Sequence, residues 1–113
     1  MKQDSVYLGH ILESIRRIET NVAAGRERFM ASATLQDATL RNLQTMSEAT
    51  QRLSDGAKSL QPHIPWQQIS AFRNVVVHNY LGIDLEQIWT IVQRDLPPLK
   101  LAVQSILDSP SSQ

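Results

Sequence analysis

The 113-residue chain contains no cysteine, only four glycines and only 5% aromatic residues. Without cysteine, neither a disulfide nor a thiolate metal site is possible. Scarce glycine and the near absence of strand-like alternation disfavour a β-sheet fold. No apolar run approaches the ~18 residues that a membrane helix needs, and charges near the N-terminus interrupt any signal-peptide pattern. These absences predict a soluble, cytoplasmic protein that does not enter a membrane.

The chain also lacks an excess of charge of either sign. Its eleven basic and eleven acidic residues cancel, whereas a protein that binds nucleic acid through general charge is clearly basic. Any contact with RNA is therefore expected to be local, or to be built by two chains together. The length, with 42% apolar residues, predicts a single domain over residues 1–108.

Apolar residues recur at helical spacing along the first half of the chain. The first stripe consists of Leu8, Ile11, Leu12, Ile15, Ile18 and Val22. It predicts one helix that ends near Gly25, a plausible C-terminal cap. A second helix is predicted over about residues 36–58, with Asp55-Gly56 as its fraying end. Phe29 and Met30 are expected in a short helical turn before it, or in its first turn.

The second half of the chain is divided by prolines. Pro62 and Pro65 break the helix, and Pro65 suits the first turn of the next one. That helix is predicted from about Trp66 to His78 or Asn79, followed by a turn over 81–83.

A further helix begins after this turn. Asp84 is predicted to cap it, with Gln87 completing a capping-box pattern. Leu85, Ile88, Trp89 and Val92 supply its apolar stripe. Pro97-Pro98 is expected to kink or restart it, and residues 109–113 are expected to form a disordered tail. The fold predicted for the whole chain is all-α, an antiparallel bundle of four to five helices.

The segment from Arg73 to Tyr80 contains the residues most typical of chemistry. Arg73 is the only formally charged residue between Gln61 and Ile83, and His78 and Tyr80 follow it. A lone guanidinium on an apolar helix is costly unless it finds a partner or faces an opening. Arg binds phosphate, His transfers protons near neutral pH and Tyr supplies a hydroxyl. This combination indicates phosphodiester chemistry.

RNA carries its own nucleophile, the 2′-hydroxyl beside each phosphate. Cleavage then needs a proton relay and a cation that stabilises the charge on the phosphate. His78 suits the relay and Arg73 the cation, and Asn74, four residues before His78, can orient the imidazole. Arg73 and His78 lie about 140° apart on an ideal helix. Two copies of the helix in a two-fold dimer would bring them together more easily.

The chain from about residue 36 to residue 107 resembles the HepT-like toxins, a branch of the HEPN ribonucleases. The segments that carry the resemblance are Ser47-Glu48-Ala49, Ile64-Pro65-Trp66-Gln67-Gln68-Ile69, Arg73-Asn74 to His78-Asn79-Tyr80, Ile83-Asp84 and Ile88-Trp89. Residues 8–29 fit the first helix of the family. One departure is visible, because the family usually has glycine where this chain has Ser47.

The resemblance implies a HEPN-like fold and a metal-independent endoribonuclease that works as a homodimer without a cofactor. Arg73 and His78 would be catalytic, with Asn74 and Tyr80 in supporting positions. It further implies the toxin of a type II or type VII-like toxin–antitoxin pair, with tRNA or mRNA as substrate. The partner would be an MntA-like nucleotidyltransferase that silences the toxin by AMPylation of Tyr80.

Simpler interpretations exist for the same residues. Arg73 can belong to a buried structural ion pair, for instance with Glu48, and Glu48 can form an ordinary surface pair with Arg52. The three histidines are too scattered to predict a metal site, and Trp66 and Trp89 are expected in the core. An alternative function is a non-catalytic helical module that docks a nucleotidyltransferase and positions its substrate.

Overall fold

The fold is built from helices throughout the part of the chain that the structure describes. The computed structural model describes residues 2–74 and 84–109. The seven helices in these ranges are α1 (Lys2–Val22), α2 (Arg26–Ala31), α3 (Ala33–Gln51), α4 (Asp55–Ser59), α5 (Trp66–Ser70), α6 (Leu85–Arg94) and α7 (Leu96–Asp108). The predicted all-α fold is confirmed. The helices outnumber the predicted four to five because the predicted segments are divided into shorter ones.

The longest helices, α1 and α3, pack against each other in opposite directions. Asp4 at the start of α1 contacts Ser54 beyond the end of α3, and Arg17 lies across from Arg41. The α1 stripe predicted from the sequence faces α3 and α7, with Leu8, Ile11, Ile15 and Ile18 fully buried. Full burial of each such side chain contributes about 1.5–3 kcal/mol relative to exposure. One continuous core includes residues from these helices and from α2, α5 and α6.

The predicted second helix begins earlier and ends earlier than expected. The Ser32 hydroxyl accepts a hydrogen bond from the Leu35 amide, which starts α3 at Ala33. At the other end, α3 stops at Gln51, and residues 52–54 separate it from α4. The prediction of one helix over 36–58 was therefore wrong at its C-terminus, and Asp55-Gly56 begins α4 instead of fraying.

The break between α3 and α4 has a tertiary cause. The Ser54 hydroxyl accepts from the Ala57 amide and so caps α4. The carboxylate of Asp4 accepts from both the Ser54 amide, at 2.9 Å, and the Ser54 hydroxyl, at 2.7 Å. Asp4 is buried, and a charge removed from water needs such partners.

The helix predicted from Trp66 to His78 or Asn79 was wrong as one continuous element, because α5 already ends at Ser70 and Ala71 forms its C-cap. Three other predicted boundaries are close to the observed ones. Gly25 has a φ of 101°, a conformation that favours glycine, and separates α1 from α2. The Asp84 carboxylate accepts from the Gln87 amide at 3.1 Å and caps α6 as predicted. Pro97-Pro98 lies in the first turn of α7, so the chain restarts a helix there.

Several predictions fall on residues outside the described ranges. These are the helix end predicted at His78 or Asn79, the turn over 81–83, and most of the tail over 109–113. None of the helices in the described ranges is long and apolar enough to span a membrane.

Candidate functional site

Trp66 anchors the helix that leads to the Arg73 segment. Its indole Nε1 donates to the carbonyl oxygens of Lys58 and Gln61, each at 3.0 Å, and its ring packs partly buried against the core. Trp89 also packs there, with its ring centroid 5.5 Å from that of Phe29. Both tryptophans are therefore core anchors, as predicted. Since Trp66 is the first residue of α5, its two hydrogen bonds fix where this helix begins.

The segment that carries Arg73 is held from two sides. Phe72 is buried in the core, and the amide of Asn74 donates to the Ala71 carbonyl at 2.9 Å. From α3, the Gln51 side chain donates to the Ser70 carbonyl at 3.1 Å. Arg73 and Asn74 are consequently exposed on the surface beside α3. Their backbone is held in place by the contacts of Phe72 and Ser70.

Arg73 forms an ion pair with Glu48 of α3. Its Nε lies 3.3 Å from the Glu48 Oε1, and the two side chains are 47% and 45% exposed. The alternative of a buried structural pair was therefore right about the partner and wrong about the burial. An ion pair this exposed contributes about 0–1 kcal/mol to stability.

Glu48 receives a second contact along its own helix. The Gln44 side chain donates to the same Oε1 at 3.3 Å. The predicted surface pair of Glu48 with Arg52 is wrong, because the Arg52 guanidinium lies instead over the ring of Tyr7, 6.0 Å from its centroid. Ser47, where the resembling family has glycine, is buried, and its hydroxyl donates to the Leu43 carbonyl at 2.7 Å.

The sequence interpretation did not connect Gln44 with this site. The signal was available, since Gln44 and Glu48 are four residues apart and must share a face of α3. What the spacing could not supply was the direction of that face, which depends on how α5 packs against α3.

The arrangement suits the reversible binding of an anion. A guanidinium offers several donors in one plane and stays charged at any physiological pH. Because the pair with Glu48 is half exposed and weak, a phosphate can bind the solvent-facing side of Arg73 at little cost. Asn74, next in the chain, is also exposed. His78 and Tyr80 lie outside the described residues, so their predicted positions relative to Arg73 stay predictions.

A groove of about 430 Å³ lies between α6 and the chain formed by α5 and the residues directly after it. Its walls are lined by Gln68, Ala71, Phe72, Gln87, Thr90, Ile91 and Arg94. Hydrogen bonds to Asp95 raise the pKa of Arg94, which therefore stays charged. Across residues 2–74 and 84–109, no cluster of three or more His, Asp or Glu side chains could hold a metal ion.

Comparison with known proteins connects this site with a family. A family model described as "Ribonuclease HepT-like" matches residues 11–106. A Methanocaldococcus jannaschii protein named "Gamma-glutamylcyclotransferase and putative RNase MJ0434" is 36% identical over 110 residues, which are 96% of this chain and 50% of that protein. The chain thus spans about half of that relative.

Two shorter relatives match over most of their length. The "Probable ribonuclease HepT" of Thermococcus cleftensis is 34% identical over 83% of this chain and 86% of its own. The "Putative RNase TTE0752" of Caldanaerobacter subterraneus is 30% identical over 95% of this chain and 96% of its own. No solved structure matches. With a family model that covers most of the helices and includes Glu48 and Arg73, the chain belongs to the HepT-like ribonuclease family.

Proposed function

We propose that this protein is a metal-independent endoribonuclease and the toxin of a toxin–antitoxin pair that acts in the cytoplasm. The observation that carries the proposal is the solvent-facing guanidinium of Arg73, oriented by Glu48 at 3.3 Å on a chain of the HepT-like ribonuclease family. A binding module has no need of an arginine at this place followed by a histidine and a tyrosine. The substrate is RNA, with tRNA and mRNA as the candidate classes.

In the proposed reaction, the RNA 2′-oxygen attacks the adjacent phosphorus and the bond to the 5′-oxygen of the next nucleotide breaks. His78 accepts the 2′-hydroxyl proton, and a proton is returned to the departing 5′-oxygen. Arg73 stabilises the charge that builds on the non-bridging oxygens. Asn74 orients the imidazole. The products are a 2′,3′-cyclic phosphate and a free 5′-hydroxyl.

The active form in this proposal is a homodimer in which one chain supplies Arg73 and its partner supplies His78. The poor convergence of positions five apart on one helix supports this arrangement. A pairing that includes α5 and the segment after it also fits the nearly uncharged sequence between Gln61 and Ile83. Two copies would double the local positive charge that a chain of zero net charge lacks.

Regulation is proposed to act through Tyr80. A partner nucleotidyltransferase of the MntA-like class would transfer AMP from ATP, as the tyrosine oxygen attacks the α-phosphorus and pyrophosphate leaves. The added phosphate would be an anion two residues from His78 in the sequence, and we expect it to reach Arg73. It can occupy the guanidinium that RNA needs, while the nucleoside blocks the cleft.

The cleavage proposal is tested with purified wild type, Arg73→Ala and His78→Ala in buffer with EDTA. We expect wild type to cut RNA to products with 2′,3′-cyclic phosphate ends, and both variants to lose at least about a hundredfold in rate. His63→Ala is the matched control, because His63 is exposed and outside the site. Full activity in His78→Ala, or a strict need for a divalent metal, would reject the mechanism.

The regulatory proposal is tested by intact-mass spectrometry after incubation with the partner nucleotidyltransferase, ATP and Mg²⁺. Wild type should gain the mass of AMP and lose cleavage, while Tyr80→Phe should gain nothing. Tyr7→Phe is the control for loss of a tyrosine elsewhere. If both wild type and Tyr80→Phe gain AMP, another residue is the acceptor. If neither does and the partner still inhibits, the partner acts by binding.

A further inference from the structure

A second polar site lies between α1 and α3, away from the Arg73 segment. It is a cleft of about 330 Å³ with walls from both helices. The charged and titratable residues that line it are His10, Glu13, Arg17 and Arg41. Neither the family match nor the proposed reaction gives this cleft a role.

The cleft has more positive than negative charge. Glu13 is its one carboxylate, and it accepts hydrogen bonds from Arg16 and, at 3.2 Å, from Arg17. These bonds lower the pKa of Glu13 to about 2, so it stays ionised at neutral pH. Two guanidinia thus share one carboxylate, which leaves a surplus of one charge on this side.

Arg41 enters the cleft from the opposite helix and adds a further charge. Among the described residues, no carboxylate lies within ion-pair distance of its guanidinium. An exposed arginine with no acidic partner, facing a second arginine across a cleft, is a favourable place for a doubly hydrogen-bonded anion such as phosphate. The imidazole of His10, edge-on to Tyr7, is at the same opening.

The cleft is aligned with the Arg73 site along α3. Arg41, Thr45 and Glu48 follow one another at steps of four and three residues, so they lie on one face of the helix. Glu48 on this face contacts Arg73. The seven steps along the helix from Arg41 to Glu48 correspond to a rise of about 10 Å, close to the rise of about three stacked nucleotides.

We propose that the cleft between α1 and α3 binds a second phosphate of the RNA strand whose scissile phosphate lies at Arg73. Arg41 and Arg17 hold this phosphate from opposite sides, about two to three nucleotides from the cleavage site. The subsite rests on the proposed ribonuclease function and deepens it. It positions long substrates and takes no part in the chemical step, and it supplies the local RNA contact that a chain of zero net charge requires.

The test compares Arg41→Gln with Arg28→Gln on two substrates. Arg28 is an exposed arginine on α2 that does not line the cleft, so its variant removes the same charge elsewhere. One substrate is a single-stranded RNA of about twelve nucleotides, long enough to occupy both sites. The other is a trinucleotide whose central nucleotide supplies the attacking 2′-hydroxyl of the same cleavage site.

For the long RNA, Arg41→Gln should raise KM about five- to tenfold with kcat unchanged. The slope of the logarithm of the binding constant against the logarithm of the salt concentration should fall in magnitude by about one. For the trinucleotide, which cannot reach the cleft, both variants should match wild type. Arg28→Gln should match wild type on both substrates.

Equal KM values for the two variants on the long RNA would overturn the subsite while leaving the ribonuclease intact. An effect of Arg41→Gln on the trinucleotide would also overturn it, because the residue would then act through the fold or the main site. Unchanged cleavage together with weaker inhibition by the nucleotidyltransferase would assign the cleft to the protein partner instead. If wild type cuts neither RNA, the proposed function itself fails.

Discussion

At the scale of single residues, the ion pair between Arg73 and Glu48 restricts the arginine side chain but leaves it accessible to substrate. If the pair were fully buried, a substrate could bind Arg73 only by breaking it, which is costly. If Arg73 were unrestrained, its side chain would lose more conformational entropy on binding. With both side chains about half exposed, Glu48 restricts Arg73 without strongly stabilising it. The ion pair is therefore expected to matter for orientation more than for the stability of the fold.

Glu48→Gln should accordingly change the free energy of unfolding by less than about 1 kcal/mol. The measurement is urea denaturation at neutral pH, followed by the helical signal in circular dichroism. Glu27→Gln, on an exposed position of α2, is the control for loss of one acidic charge. A loss of about 3 kcal/mol or more would show that the pair is buried in solution, since that is the cost of breaking a buried pair.

Glu13 gives a prediction about pH. Its hydrogen bonds from Arg16 and Arg17 lower its pKa from 4.5 to about 2. A lowered pKa in the folded state means that the contact favours folding above pH 4.5. This contribution is lost progressively as the pH falls towards 2.

The carboxyl carbon resonance of Glu13 should therefore titrate well below its ordinary range in an NMR experiment. Arg17→Gln should move the midpoint upward, and Arg28→Gln should leave it in place. A midpoint at or above 4.5 in the wild type would contradict the pair.

At the scale of helices, apolar spacing predicted most elements. It missed the break between α3 and α4, because the residue that causes this break is far away in the sequence. The stripe of α1, the cap at Asp84 and the restart at Pro97 are local signals, and each is present in the structure. The end of α3 depends on Asp4, fifty positions away. A pattern read over ten to twenty residues contains no information on such a contact.

The candidate site was likewise predicted where the signal is local and missed where it depends on packing. The sequence singled out Arg73 because a lone charge in an apolar segment is conspicuous, and Asn74 because it lies four residues before His78. It named both Arg52 and Arg73 as partners for Glu48, because the choice between them depends on the packing of α5 against α3. The cleft at Arg17 and Arg41 was not predicted, since two helices are needed to form it.

Asp4→Ala should destabilise the protein by about 1–3 kcal/mol, because it removes the carboxylate that accepts from the amide and the hydroxyl of Ser54 in a partly buried place. Chemical denaturation measures the change. Asp37→Ala, which removes an exposed carboxylate from α3, is the matched control and should cost less than about 0.5 kcal/mol. Equal stability of Asp4→Ala and wild type would contradict the assigned role of the carboxylate.

At the scale of the whole molecule, the proposed dimer can be tested by mixing two inactive variants. Arg73→Ala and His78→Ala are combined after each has been shown to be inactive alone. If each site takes Arg73 from one chain and His78 from the other, half of the randomly exchanged dimers contain one intact site, which restores roughly a quarter of wild-type activity.

If each site is complete within one chain, the mixture stays inactive, because no chain then carries both residues. Light scattering at the same concentration provides the control that the chains are paired. A monomer that still cuts RNA would contradict the shared site, whatever the mixing experiment gives.

The hydrogen bonds between Asp4 and Ser54 also bear on the order in which the protein folds during synthesis. A ribosome makes chains from the N-terminus, so α1 and its carboxylate are available before Ser54 emerges. The C-terminal end of α3 can therefore be fixed as soon as it is made. In a circular permutant that places α1 after α7, the stretch over 33–59 would wait for its cap, and a continuous helix could compete with the native break. The position of α1 ahead of its partner thus favours the correct helix boundary from the start.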